Sequence, residues 1–328
     1  MPASLGIWRA HIGFAQEVTY GTTVATASVF IPAQTYDTYE DMQGIVLDEA
    51  MRAAPSRIYG AYTGMREGRW AATMPFYPNQ TGRFLSYFLS NDTIGSSSNA
   101  NGWQHNMILN SSANPHSDTI FHFFGSTTAE RMFAGAAYES LDLKFSRASG
   151  MMTAKVAAKS FSPSTAGISE QAPSYTSDPP FRGWQAIFSV GATTRATLLD
   201  YELNIKREID LVFAANNSQN PVAFEAGKLE MKFKLKMYGS TEEPYTDYRA
   251  LTQQQMSIQF LDTVPGTTSN LLQIVGQKAV FTKVNPNHSG KFLTYDIEGE
   301  YVHNTSAGGD SGPAQFNLTV ATSSQFST

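Results

Sequence analysis

"GKLEMKFKLKMYG", residues 227–239, decides the fold. Leu229, Met231, Phe233, Leu235 and Met237 alternate without a break with Lys228, Glu230, Lys232, Lys234 and Lys236. A period of two sends the apolar set to one face and the charged set to the other, as a strand does and a helix cannot. The segment reads as a half-buried antiparallel strand with one wet face. "LLDYELNIKREIDLVF" (198–213) repeats the pattern, with Tyr201, Leu203, Ile205, Ile209 and Leu211 inward and Asp200, Glu202, Lys206, Glu208 and Asp210 outward. "AYESLDLKF" (137–145) and "KFLTYDIEGEYV" (291–302) do the same. Helical signals are short. Phe84, Leu85 and Phe88 fall at helical spacing in "NQTGRFLSYFLSN", and Thr241, Glu242, Glu243 and Pro244 form a plausible helix start.

Composition narrows the function. A chain of 328 residues exceeds the usual single domain. With 23 Lys+Arg against 28 Asp+Glu, the formal charge of -5 argues against a protein that grips phosphate backbones, because that grip needs clustered cations. Charged residues make up only 16%, a weakly repulsive surface that suits burial against other subunits. The absence of Cys excludes disulfides and thiolate metal sites. The N-terminus lacks a basic start with an apolar core, and no run of apolar residues is long enough to cross a membrane as a helix. The expectation is a soluble protein made in a cytoplasm.

The chain divides at a Pro-, Ser- and Thr-rich stretch, "SPSTAGISEQAPSYTSDPPFRG" (162–183). The halves share an order of elements. "GRWAATMPFYPNQTGRFLSYFL" and "GKLEMKFKLKMYGSTEEPYTDYRALT" each run glycine, strand, aromatic end, short helix. Later, each half carries a glycine-led strand, a Ser-Gly turn and a second strand. Gly68 pairs with Gly227 and Gly135 with Gly276, and the difference in spacing falls in the polar stretch 91–119, read as a longer loop. The expected architecture is mainly β, two tandem β-sandwich or barrel domains with one short helix each: 1–165, a linker over 166–182, and 183–328.

Several motifs invite a catalytic reading. "GGDSGP" (308–313) has the look of a serine-protease nucleophile turn, but one glycine is missing and no His-bearing partner segment exists. A turn before a last strand (315–321) is the plainer account. His11, His105, His116, His122, His288 and His303 never fall at metal-binding spacing. No phosphate loop occurs, and the Asn-x-Ser/Thr sequons at Asn79, Asn91, Asn110, Asn216, Asn287, Asn304 and Asn317 read as turns. No catalytic residue, cofactor or metal is expected. The stripes Asp296, Glu298, Glu300 and Lys232, Lys234, Lys236 suit cross-strand ion pairs, or one face lining a solvated channel.

"QEVTYGTTVATASVFIPAQTYDT", with Gln16, Glu17, Tyr20, Gly21 and Thr22, resembles the start of tail tube proteins of siphophages, where (Gln/Lys)-Glu-x-x-Tyr-Gly-Thr precedes an extended segment. "REGRWAATMPFY", the helix after it, and "MFAGAAYESLDLKFSRASGMMTAKVAAKSF" follow that family's order of glycine-led strand, helix and glycine-led hairpin. The resemblance implies a non-enzymatic virion protein that polymerises into stacked rings around a lumen through which double-stranded DNA passes without specific binding. It implies self-assembly, with a duplicated chain forming trimeric pseudo-hexamers. Tape measure, terminator and distal tail proteins would be further partners. The virion tail would be its location, after synthesis in the host bacterial cytoplasm, with no membrane partner.

Residues follow from that resemblance as expectations. Gly21 is a turn residue, and Glu17 and Tyr20 are contacts of an assembly arm present once per chain. Met42–Glu67 and Asp210–Ala226 are loops reaching the next ring, the first with Asp48, Glu49, Arg52, Arg57 and Arg66 as ionic contacts. Asp200, Glu202, Asp296, Glu298 and Glu300 are candidates for a mildly acidic lumen face. The competing expectation is a receptor- or carbohydrate-binding β-sandwich module of a virion or cell surface.

Overall fold

A computed structural model describes residues 10–50, 57–96, 102–124, 130–147, 150–165, 168–191, 193–195, 197–239, 242–262, 270–288, 290–305, 312–320 and 326. The alternating segments are strands: β8 (Arg131–Ser146), β12 (Leu198–Val212), β13 (Ala223–Tyr238) and β16 (Thr294–Tyr301). Met231, Phe233, Leu235 and Met237 are buried while Lys232 and Lys234 are exposed, so the period of two is a true core and solvent alternation.

With β3 (Thr35–Asp48), β4 (Gly60–Pro75), β9 (Thr153–Ser160) and β15 (Asn270–Asn287), these strands form one antiparallel sheet. Its order is β3, β4, β9, β8, β12, β13, β16, β15. Four strands come from each half, in the same order in each. The two sets meet where β8 pairs with β12, so the sheet runs unbroken across the middle of the chain.

A second layer covers the apolar face. In the first half, β1 (His11–Gln16) lies between β2 (Val29–Ile31) and β7 (Asp118–Phe123), and β7 pairs with the start of β8. In the second half, β10 (Ala186–Val190) lies between β11 (Thr193–Arg195) and β14 (Gln254–Asp262), and β14 pairs with the start of β15. β8 and β15 thus belong to both layers, and each changes layer beside a shift in pairing register. Bulges of this kind bend a strand.

Helices α1 (Pro78–Leu89) and α2 (Glu243–Ala250) stand where the sequence places them, each with Pro in its first turn. Phe84, Leu85 and Phe88 are buried, and α1 is a core helix; α2 buries none of its residues fully.

Three sequence expectations change. The stretch 91–119 is not a simple loop. It carries β5 (Thr93–Ser96) and β6 (Trp103–Met107), and β6 pairs with the C-terminal strand β17 (Gln315–Val320), which also pairs with β15. The glycine landmarks are displaced as well. The bulge that leaves 64–65 opposite Gly44 matches the one that leaves 227–228 opposite Glu208, so Gly64, not Gly68, stands at Gly227's place. By the same test Phe133, not Gly135, stands at Gly276's place. Glycine identity misleads here because register is fixed by bulges. Finally, the segment after Gly21 is extended as a strand only over β2, with turns before it.

The stretch between halves is fastened to the first half. His11 Nε2 donates to the Gln171 carbonyl (2.8 Å), the Met152 amide donates to the Phe181 carbonyl (2.8 Å), and Phe181 is fully buried.

Candidate assembly surfaces

The Gln-Glu-x-x-Tyr-Gly segment follows β1. Gly21 has φ +73°, a turn conformation that glycine adopts without strain. The turn brings the Gly21 amide back to Glu17 Oε2 at 2.8 Å, which also accepts from Ser117 Oγ at 2.8 Å. Oε1 accepts from Thr119 Oγ1 and from the Gly135 amide, both at 2.8 Å. Glu17 is 4% exposed. Its carboxylate is therefore an internal strut, which corrects its expected role as a surface contact. Tyr20 packs edge-on against Phe161 and against Phe224 of β13, with ring centroids 5.4 and 4.9 Å apart. Burial, and then the Glu17 charge, raise the Tyr20 pKa well above that of a free phenol. Tyr20 thus links the arm to the second half inside one chain.

In the second half, the β10–β11 hairpin occupies the matching place between sheet and turn, with Gly191 at φ +59°. The sequence of this hairpin, 186–195, holds no Asp or Glu to match Glu17, and its Arg195 pairs instead with Glu243 of α2, so the strut is present once while the strand pair is present twice.

The expected ring-contact loops are the ends of long hairpins. β3 runs to Asp48 and β4 begins at Gly60; β12 runs to Val212 and β13 begins at Ala223. Both tips lie at the same end of the sheet, because β3 and β12 run in the same direction. Asp48 receives the Tyr59 amide on its carbonyl (2.9 Å) and the Ala50 amide on Oδ1 (3.1 Å). Glu49 pairs with Arg57 at 3.1 Å within the tip. Arg66 Nη2 donates to Gln43 Oε1 (3.2 Å), and its amide donates to the Gln219 carbonyl (2.9 Å), tying one hairpin to the other. Arg52 lies outside the described residues. The sequence reading named these charges and overlooked their neighbours: Met42, Ile45, Val46, Leu47, Ile58, Tyr62 and Met65 are all exposed. The first hairpin is an apolar projection.

The polar face of the sheet carries the other expected residues. Lys236 stands opposite Asp296 and Asp200, Lys234 opposite Glu298 and Glu202, and Lys232 opposite Glu300. One row reads Lys144, Glu202, Lys234, Glu298, Lys283 across five strands. Its ends close as ion pairs, Lys144 to Glu202 at 3.7 Å and Lys283 to Glu298 at 3.6 Å. Asp200, Glu202, Asp296, Glu298 and Glu300 do share one face, but lysines interleave them. The mildly acidic surface expected from the carboxylates alone is instead an interleaved one.

Arg207 is a further residue that alternation alone does not flag. It points inward from β12 among apolar neighbours, and Nη1 donates to the Phe88 carbonyl (2.7 Å) and to Ser90 Oγ (3.2 Å) at the end of α1. A cation suits a helix C-terminus, and here it clamps a first-half helix to a second-half strand. Burial lowers its pKa.

Among the described residues no group of three or more His, Asp or Glu is placed to hold a metal ion. Asp310 and Ser311 of the "GGDSGP" segment lie outside the described residues. Trp70 is buried, and the exposed Trp103 and Trp184 sit on separate elements. Among the described residues no helix is long and apolar enough to cross a membrane.

The described residues thus form two layers of antiparallel strands with a repeated four-strand order and long projecting hairpins. No curated protein matches the chain. The family model described as phage tail tube protein matches residues 8–321, nearly the whole length. The chain therefore belongs to the phage tail tube protein family and is a structural protein of the virion tail.

Proposed function

We propose that this protein closes into trimeric, pseudo-hexameric rings that stack into the tail tube of a siphophage, the conduit for DNA ejection. One observation carries the reading: an eight-stranded sheet, built from the same four-strand order twice, ends on β3 and on Val280–Pro286 of β15, which pair with no further strand among the described residues. An open edge invites another chain, and closure of a barrel removes it. The apolar face of the sheet is already covered by the second layer and α1, so closure turns the charged face toward the lumen. Interleaved lysines and carboxylates leave that wall with little net charge, and double-stranded DNA slides past without being held. A duplicated tube domain, one copy on each side of the 166–182 linker, accounts for three chains doing the work of six.

Stacking is heterologous, so rings add without limit until other tail proteins cap them. Tape measure, terminator and distal tail proteins are the partners at the lumen and ends. The role is non-enzymatic, and synthesis takes place in the host cytoplasm. Negative-stain electron microscopy of the concentrated protein tests the reading. Hollow tubes or rings with three-fold symmetry are expected, while compact particles that persist at high concentration overturn it.

A further inference from the structure

We propose that copies of this chain join by repeating the junction that already links the chain's own halves, so that β15 of one copy pairs with β3 of the next in one fixed register. The inference rests on the ring-forming role proposed above and adds to it the residues that meet. Inside the chain, β8 pairs with β12 antiparallel over Ser140–Ser146 and Asp200–Lys206.

β15 is the counterpart of β8. Each has a bulge against its second-layer neighbour, after Phe133 in β8 and after Gly276 in β15. Each has a second bulge at the same spacing beyond, which leaves Glu139 and Thr282 without a partner in the ladder. Ser140 therefore corresponds to Lys283, and Asp142 to Asn285. β3 is the counterpart of β12. Their shared bulge falls between Gln43 and Ile45 in one and between Arg207 and Ile209 in the other. Lys206 therefore corresponds to Met42, and Asn204 to Glu40.

Among the described residues β3 pairs only with β4, and Val280–Pro286 of β15 pair only with β16. These are the two open edges, and they run antiparallel to each other as β8 and β12 do. Carrying the internal register over puts Lys283 opposite Met42, Val284 opposite Asp41 and Asn285 opposite Glu40.

Side-chain chemistry favours this register. In the internal junction the Asn204 amide donates to the Asp142 carboxylate. Across copies the roles exchange: the Asn285 amide faces the Glu40 carboxylate, and both residues are exposed in the single chain. A slip of two residues would set Lys283 against Glu40, but Lys283 already pairs with Glu298 at 3.6 Å.

The chain has no Cys, so an introduced thiol pair reports a single register. Directly opposed residues hold their Cβ atoms near disulfide range. Tubes of the Glu40→Cys/Asn285→Cys variant, oxidised and run without reductant, are expected to give covalent multimers, and the slipped pair Glu40→Cys/Lys283→Cys about fivefold less. Preferential linkage of the slipped pair, or intact tubes in which neither pair links, overturns the register. Failure of the unmodified protein to form rings or tubes is a separate result that defeats the ring-forming role. A charge test covers variants that do not assemble. Asn285→Asp sets two carboxylates face to face and should lower the assembled fraction about fivefold, and Glu40→Gln/Asn285→Asp should restore it. Absence of that rescue likewise overturns the register.

Discussion

The Glu17 carboxylate accepts two hydrogen bonds on each oxygen, two from backbone amides and two from hydroxyls. That set saturates an ionised carboxylate and no other side chain of its size. Glu17→Gln keeps the volume but leaves one acceptor oxygen, and its amide hydrogens meet two donors head-on. A loss of about 2–4 kcal/mol is expected from buried donors left unsatisfied beside the lost charge-assisted bonds. Urea denaturation of unassembled protein checks it, and a change within about 0.5 kcal/mol, the range of ordinary surface substitutions, defeats the strut. The spacing of Glu17, Tyr20 and Gly21 marks the segment in the sequence. The inward direction of Glu17 does not show there, because Ser117, Thr119 and Gly135 lie a hundred or more residues away along the chain. Arg207 was hidden for a related reason. A charge in an inward row looks like an exception to the alternation until the end of α1 is brought to it.

Elements were legible wherever one face alone meets the core, since alternation then records burial directly. β12, β13 and β16 are of this kind; α1 is buried almost all round, and the helical spacing of Phe84, Leu85 and Phe88 is what marks it in the sequence. β5 and β6 were not legible: their polar sequence gains order from β17, at the far end of the chain. The end of α2 holds a choice the sequence pattern does not explain. Leu251 sits in the left-handed region at φ 49°, ψ 38°, where its amide donates to the Asp247 and Tyr248 carbonyls. Its side chain is exposed, so no packing offsets the strain at its Cβ. Leu251→Gly removes that strain while keeping the cap, and a stability gain of about 0.5–1 kcal/mol is expected. Thermal unfolding reads it directly; a lower midpoint would show that Leu251 makes a contact worth more than the strain.

At the scale of the whole molecule, the two hairpins occupy equivalent places but differ in chemistry. The β12–β13 tip is polar, with Asn216, Asn217, Ser218, Gln219 and Asn220. The β3–β4 projection exposes Ile45 at 69% and Val46 at 57%, flanked by Leu47, Tyr62 and Met65. An apolar projection of this kind marks a surface meant for another protein. The repeated order of elements was visible in the sequence, but this difference was not, since Ile45, Val46 and Leu47 read as ordinary strand residues until both faces of the ribbon prove to be bare. The ionic contacts inferred from Asp48 and Glu49 are correspondingly weak. Glu49 pairs with Arg57 in its own hairpin, and an exposed pair contributes about 0–1 kcal/mol. Asp48→Lys/Glu49→Lys should therefore change tube length and yield little. Val46→Asp/Leu47→Asp should leave the folded subunit intact, because both positions are solvent-exposed, yet cut the length of tubes counted by negative stain several-fold and leave rings or short stacks. If the lysine variant blocks stacking while the aspartate variant stacks normally, charge rather than apolar burial joins one ring to the next.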